Sequence, residues 1–170
     1  MTDRTAYRVC FVCSGNICRS PMGEVVLRAL LEEAGMDHLV EVTSAGTGGW
    51  HEGDGADPRT VRTLHERGYD GSAHVAHEFR AEWFGELDLV LAADHGHARA
   101  LRRWAPTVAD QDKVRMIREF DGLAVAAGTL EVDDPWFGDM EGFERCLTEV
   151  EAACRGLVGH LAAELAAPRR

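Results

Sequence analysis

Apolar and polar positions follow two rhythms along this chain. Arg8-Val9-Cys10-Phe11-Val12 is a β-branched and aromatic run that predicts a short buried strand. Beyond a brief loop, Met22, Val25, Val26, Ala29 and Leu30 recur at helical spacing, with Pro21 suited to the first turn and Gly35 closing the segment. Val40 to Ala45 predicts a second strand, since it is β-branched and partly alternating. Asp57-Pro58 opens a helix, Asp57 as N-cap and Pro58 at the first position, with Val61 and Leu64 facing inward before Gly68. Phe79 to Phe84 reads as a short helix leading into Asp88 to Ala93, a near-continuous apolar run of the kind buried on both faces of a sheet. Asp94 follows that run and is placed to cap a helix from His97 to Trp104, and Val114 to Ile117 predicts a shorter fourth strand. Met140, Phe143, Leu147, Val150, Cys154, Leu157, Leu161 and Leu165 form one apolar stripe, which predicts a long last helix and makes Cys154 a core residue.

Strands alternating with helices imply an α/β fold with a parallel, doubly wound sheet, whose ligand site lies beyond the carboxyl ends of the strands. At 170 residues and 45% hydrophobic, the chain is expected to form a single domain over residues 1–170. A net charge of −11 argues against nucleic acid or an anionic membrane surface as partner. No apolar run approaches the roughly 20 residues of a membrane span, and Met1 to Arg8 lacks a signal-peptide core, so the expected location is the cytoplasm. An odd number of cysteines without a secretory signal points to reduced thiols, and their spacing matches no zinc pattern. His95 and His97, two apart with no connected carboxylate cluster, do not read as a metal site. No metal and no cofactor are expected.

The chemistry concentrates between the first strand and the first helix, in Val12-Cys13-Ser14-Gly15-Asn16-Ile17-Cys18-Arg19-Ser20-Pro21. A loop entering a helix aims free backbone N–H groups and the positive end of the helix dipole at one point, which suits a dianion. A thiol's ordinary pKa of about 8.5 falls by several units beside a helix N-terminus and a guanidinium, which makes Cys13 the candidate nucleophile. Arg19, six residues on, offers a planar fork able to hold two phosphoryl oxygens, and Gly15 lets the backbone turn without a Cβ. The chain's negative field opposes a phosphoester at long range, so capture falls to these local groups.

In this form, Cys-x-Gly-Asn-x-Cys-Arg-Ser-Pro directly after an N-terminal strand resembles the low-molecular-weight protein tyrosine phosphatase family, and the resemblance runs over nearly the whole chain. It implies a central four-stranded parallel sheet with helices on both faces and a phosphate-binding loop, Ser14 to Cys18 with Ser20, after the first strand. It also implies that Asn16, Ser20 and Ser44 form a hydrogen-bond network holding that loop and favouring the thiolate, with His74 near it. Trp50, in a glycine-rich turn, reads either as a cover for the core edge or as a pocket wall, and the resemblance favours the wall.

A departing phenoxide needs a proton donor. In Asp133-Asp134-Pro135-Trp136-Phe137 the aromatics set a carboxyl beside an apolar wall, where partial desolvation helps keep it protonated, and the resemblance aligns Asp134 with the family's general acid. Trp136 and Phe137 stand where the family often has tyrosines. The resulting expectation is a metal-independent phosphatase acting on phosphotyrosine-containing proteins and small aryl phosphates through a cysteinyl-phosphate, with inorganic phosphate as product. Cys18 is the expected redox partner of Cys13, which the family's paired cysteines also imply. Three rivals are distinguishable. A thioredoxin-coupled arsenate reductase needs further mid-chain cysteines, and none lies between Cys18 and Cys146. A phosphoarginine phosphatase of the same superfamily has Thr where this chain has Ile17. A plain anion-binding module would bind phosphate without turnover.

Overall fold

The computed structural model describes residues 5–166; the two ends of the expected 1–170 domain, and the Met1–Arg4 part of the amino-terminal stretch, lie outside these. Four strands form one sheet: β1 (Tyr7–Cys13), β2 (Val40–Gly46), β3 (Leu89–Ala92) and β4 (Val114–Met116). Their order is β2-β1-β3-β4 and every pairing is parallel. The helices are α1 (Arg19–Glu33), α2 (Pro58–Glu66), α3 (His95–Trp104), α4 (Val108–Asp112), α5 (Gly122–Ala127) and α6 (Met140–Ala166), with 3₁₀ turns at Ala81–Gly85, Ile117–Phe120 and Pro135–Phe137.

The alternation along β1 divides the core into two layers. Val9, Phe11 and Cys13 face a cluster built with Met22 and Leu27 of α1 and Phe143, Leu147, Val150, Cys154 and Leu157 of α6. Cys10 and Val12 face the opposite cluster, with Phe79, Phe84, and Ala98 and Leu101 of α3. Helices therefore cover both faces, as the alternating sequence pattern requires.

The expected elements lie where the apolar pattern sets them, with ends shifted by a few residues. Asp57 caps α2, accepting from Arg59 N at 2.8 Å. The helix expected from His97 starts at His95, because Asp94 supplies the cap. Gly35 and Gly68 follow α1 and α2 with φ of 69° and 86°, the left-handed conformation that ends helices. Helices α4 and α5, of five and six residues, were not expected; each spans too little chain to display a periodic apolar face.

The strand order decides where a ligand can go. From β1 the chain adds β2 on one side and then crosses to add β3 on the other, so a crevice opens at the carboxyl ends of β1 and β3. The Cys13 loop leaves one of these ends and Asp94 the other.

Candidate active site

The loop from Cys13 to Arg19 is wound with its carbonyls outward. Thr47 N donates to Cys13 O (2.8 Å), Gly48 N to Ser14 O (3.1 Å), Asp57 N to Ile17 O (2.9 Å) and His74 Nε2 to Asn16 O (2.7 Å). Such winding presents the amide N–H groups to the space the loop encloses, beside the unbonded first turn of α1. Gly46 permits the tight fit behind: a Cβ there would lie 2.6 Å from Ser14 O.

Asn16 holds the loop's conformation. It has φ 59°, the only left-handed non-glycine among the described residues, and Asn tolerates that region better than most residues. Its Nδ2 donates to Ser20 Oγ (2.8 Å) and Ser44 Oγ (2.9 Å), and its Oδ1 accepts from His77 N (2.9 Å). Gly15, expected to make the turn, does not take the positive φ. Its lack of a Cβ makes room for the His51 ring, which would otherwise lie 2.8 Å from that Cβ.

Cys13 is buried, 3% exposed, and its sulfur lies 2.9 Å from Ser20 Oγ and 3.4 Å from Ser20 N. Ser20 Oγ accepts from Asn16 Nδ2, and two acceptors stand within reach of its own proton, the Cys13 sulfur at 2.9 Å and Ala45 O at 3.4 Å, the sulfur being the nearer. Ser44 passes the network on, donating to Glu24 Oε2 (3.1 Å), and His74 Nδ1 lies 3.3 Å from the same carboxylate. Asn16, Ser20, Ser44 and His74 thus come together as expected. Glu24 joins them unannounced; its signal is a carboxylate one helical turn beyond Ser20, on the buried face of α1.

Arg19 is buried at 3% exposure. Its Nη1 donates to Asp94 Oδ2 (3.0 Å) and Val132 O (2.9 Å), and its Nη2 lies 3.5 Å from Asp134 Oδ2. Burial works against its charge, but Cys13, Asp134 and Asp94 outweigh this and raise its pKa further. Asp94, read as a helix cap, has two roles: Oδ1 accepts from His97 N (3.0 Å) and Oδ2 holds the arginine. Burial acts against its charge too, yet the backbone bond from His97 N and the Arg19 guanidinium hold its carboxyl below the usual range.

His97, without connected carboxylate in the sequence, is paired with Asp94. Its Nδ1 accepts from Asp94 N (3.3 Å), completing a capping box, which leaves the proton on Nε2 to be donated to Ser14 Oγ at 2.8 Å. Burial, with Arg19 next in weight, pushes its pKa down to about 4, so the ring is neutral at pH 7. Cys18 is the N-cap of α1 and a buried free thiol, pushed up to about 12 by burial.

Above the loop lies a cleft of about 310 Å³, lined by the Cys13–Arg19 segment (Asn16 apart), Trp50, His51, Asp134, Trp136 and Phe137. Trp50 and Phe137 are 75% and 88% exposed, so they stand as free walls and do not cover the core edge. Asp134 caps the turn Pro135–Phe137 through Oδ1, accepting from Trp136 N (3.1 Å), which leaves Oδ2 toward Arg19. Asp133 does not line the cleft and acts instead on Glu149, whose carboxyl burial raises, with Asp133 adding to the effect. Cys146 and Cys154 are buried along α6.

A thiol, a fixed guanidinium and a carboxyl converging on an aromatic-walled loop between β1 and α1 define a phosphate-binding cysteine site on an α/β sheet. The family model for low molecular weight phosphotyrosine protein phosphatases matches residues 8–167, and the chain belongs to that family. A low molecular weight protein-tyrosine-phosphatase of Streptomyces coelicolor is 61% identical over 152 residues, covering 89% of this chain and 92% of the relative. Protein-tyrosine phosphatase A of Mycobacterium tuberculosis is 42% identical over 149 residues, covering 88% of each. Among solved structures, a protein tyrosine phosphatase from Entamoeba histolytica superposes with TM-score 0.87 at 30% identity, over 94% of this chain and 99% of that one. The low molecular weight enzyme from T. tengcongensis gives 0.79 at 36% identity, over 91% and 99%.

Proposed function

We propose that this chain hydrolyses phosphotyrosine in proteins, and small aryl phosphates, with Cys13 as nucleophile, Arg19 and the loop amides as phosphoryl cradle, and Asp134 as general acid. The observation that carries the reading is the convergence of Arg19 on both partners: it shares a loop with Cys13, and its Nη2 lies 3.5 Å from Asp134 Oδ2. In the first step Cys13 sulfur bonds to phosphorus as the phosphorus–oxygen bond to the phenol breaks, and Asp134 gives its proton to the departing oxygen. Arg19 and the amides meet the charge on the equatorial oxygens without having to reorganise. In the second step a water oxygen bonds to phosphorus, the sulfur leaves, and the ionised Asp134 takes the water's proton, releasing inorganic phosphate.

Two features support an aryl substrate over phosphoarginine. The apolar Ile17 side chain stands in the cleft lining, and the walls are Trp50, Trp136 and Phe137. Ser14 to Cys18 with Ser20 form the cradle, and Ser44 and His74 support it. A free nucleophilic thiol suits a reducing compartment, and the reading assigns the chain to the cytoplasm.

The test offers phosphotyrosyl, phosphoseryl and phosphoarginyl versions of one peptide to the enzyme in EDTA, alongside Cys13→Ser. Release of phosphate from phosphotyrosine alone, abolished in the variant, is the expected result. Preference for phosphoarginine, or more than about a hundredth of the wild-type kcat in Cys13→Ser, a loss under roughly 2.7 kcal/mol, would overturn the reading.

A further inference from the structure

The segment carrying Asp134 is irregular, and its two sides are anchored differently. On the amino-terminal side, Val132 N donates to Ala93 O (2.8 Å), Val132 O accepts from Arg19, and Glu131 O accepts from Arg118 Nη1 (3.0 Å). On the carboxyl-terminal side, Gly138 N bonds only within the turn, to Pro135 O. The hydrogen bonds that reach this side from elsewhere, among the described residues, come from Arg59: Nη1 lies 3.3 Å from Trp136 O and 3.5 Å from Gly138 O.

Arg59 is itself held. Asp57 Oδ1 accepts from its Nε (3.1 Å), Asp57 Oδ2 from its Nη2 (2.9 Å), and its guanidinium carbon lies 4.5 Å from the centroid of the Phe143 ring and 5.6 Å from that of Trp136. Asp57 N in turn donates to Ile17 O at 2.9 Å. A continuous path therefore runs from the phosphate loop, through the cap of α2, to the two carbonyls flanking Phe137. Only a planar fork can serve Asp57 on one edge, two carbonyls on another and two rings on its faces; a lysine ammonium cannot.

We infer that Arg59 is a positioning residue for the reaction, clamping the carboxyl-terminal side of the acid segment to the Cys13 loop and so setting the distance between the Asp134 carboxyl and the leaving oxygen. Arg59 does not line the cleft, and its donors are engaged with Asp57 and the two carbonyls, so it acts through the segment and not by touching substrate. A displacement of about 1 Å at a reacting group can cost up to 10²-fold in rate, while the phosphate cradle, held by Asn16, Ser20 and Asp94, stays as it is.

The inference rests on Asp134 being the acid, and a two-background experiment separates the two claims. Arg59→Gln and Arg59→Lys are made in the wild type and in Asp134→Asn, each variant's fold is verified by its thermal transition, and kcat is measured with phosphotyrosine and with p-nitrophenyl phosphate. Inorganic phosphate serves as competitive inhibitor to report the cradle. In the wild-type background, kcat on phosphotyrosine should fall about ten- to a hundredfold, with a smaller fall on the nitrophenyl ester and an unchanged inhibition constant for phosphate. In the Asp134→Asn background the Arg59 substitutions should have no further effect on kcat. A loss of equal size in both backgrounds, or a weakened phosphate affinity that accounts for it, overturns the positioning role. If Asp134→Asn alone shows no dependence on the leaving group, the acid assignment fails instead. If Arg59→Gln does not fold, Arg59→Lys carries the same test, since it keeps the charge and loses the fork.

Discussion

Asn16 joins backbone conformation to the Cys13 thiol through Ser20, and a pair of substitutions separates its two contributions. Asn16→Gly keeps the left-handed φ of 59° accessible and removes the bonds to Ser20 Oγ, Ser44 Oγ and His77 N. At about 0.5–1.5 kcal/mol net for each hydrogen bond, three losses sum to about 1.5–4.5 kcal/mol of stability. Asn16→Ala loses the same bonds and adds the cost of a Cβ in the left-handed region, about 1–2 kcal/mol, less the unfolded-state freedom that glycine adds. Alanine should therefore be the less stable of the two by about 1 kcal/mol. Both variants leave the Ser20 hydroxyl free to turn from the Cys13 sulfur, so kcat/KM should fall by at least about tenfold, the equivalent of one charge-assisted bond near 1.4 kcal/mol. Urea unfolding at pH 7 gives the stabilities, and p-nitrophenyl phosphate turnover gives the activity. Equal stability of the two variants would refute the conformational argument. Wild-type activity in Asn16→Gly would refute the claim that Asn16 orients Ser20.

Asp134→Asn should cost about 10² to 10⁴-fold in kcat on phosphotyrosine and less on nitrophenyl phosphate, because an acid matters in proportion to leaving-group basicity; a larger loss from Asp133→Asn would reverse the assignment. His97 is held neutral with a pKa pushed down to about 4, against about 6.5 when unfolded. Its contribution is thus present above pH 6.5 and is lost as pH falls toward 4, by up to about 3 kcal/mol; the urea midpoints at pH 7 and pH 4.5 should lie closer together in His97→Gln than in wild type. Mild peroxide should inactivate the enzyme reversibly through a Cys13–Cys18 disulfide, with dithiol rescue in wild type but not in Cys18→Ser. Since burial pushes the Cys18 thiol up to about 12, bridge formation should quicken as pH rises, and equal recovery of the two proteins would remove the protective role.

What was legible in the sequence was whatever lies close together along the chain. Cys13, Asn16, Arg19 and Ser20 fall within eight consecutive residues, from the end of β1 to the first turn of α1, and that strand and helix show in simple periodicity. Asp134 and its aromatics were readable as a unit because a proline and two rings mark the segment. The contacts that complete the site join residues far apart: Arg19 with Asp94, Ser14 with His97, Glu24 with His74, and Arg59 with Trp136. Nothing local distinguishes Asp94 from an ordinary helix cap. Its second role follows only from its place at the carboxyl end of β3, next to β1, where the crevice opens. Arg59 likewise looks like any exposed residue in a first helical turn until the fold sets Gly138 above it.

The central claim is that the phosphoryl group passes through Cys13, and the direct measurement is to catch it there. Asp134→Asn, which lacks the carboxylate that activates the second water, is mixed with excess p-nitrophenyl phosphate, quenched within the first turnovers, digested and examined by mass spectrometry. The account predicts one added phosphoryl group on the peptide containing Cys13, absent when Cys13→Ser is treated alike and matched by a burst of nitrophenol equal to the enzyme present. A phosphoryl group on any other residue, or turnover with no phosphorylated peptide and no burst, would contradict it.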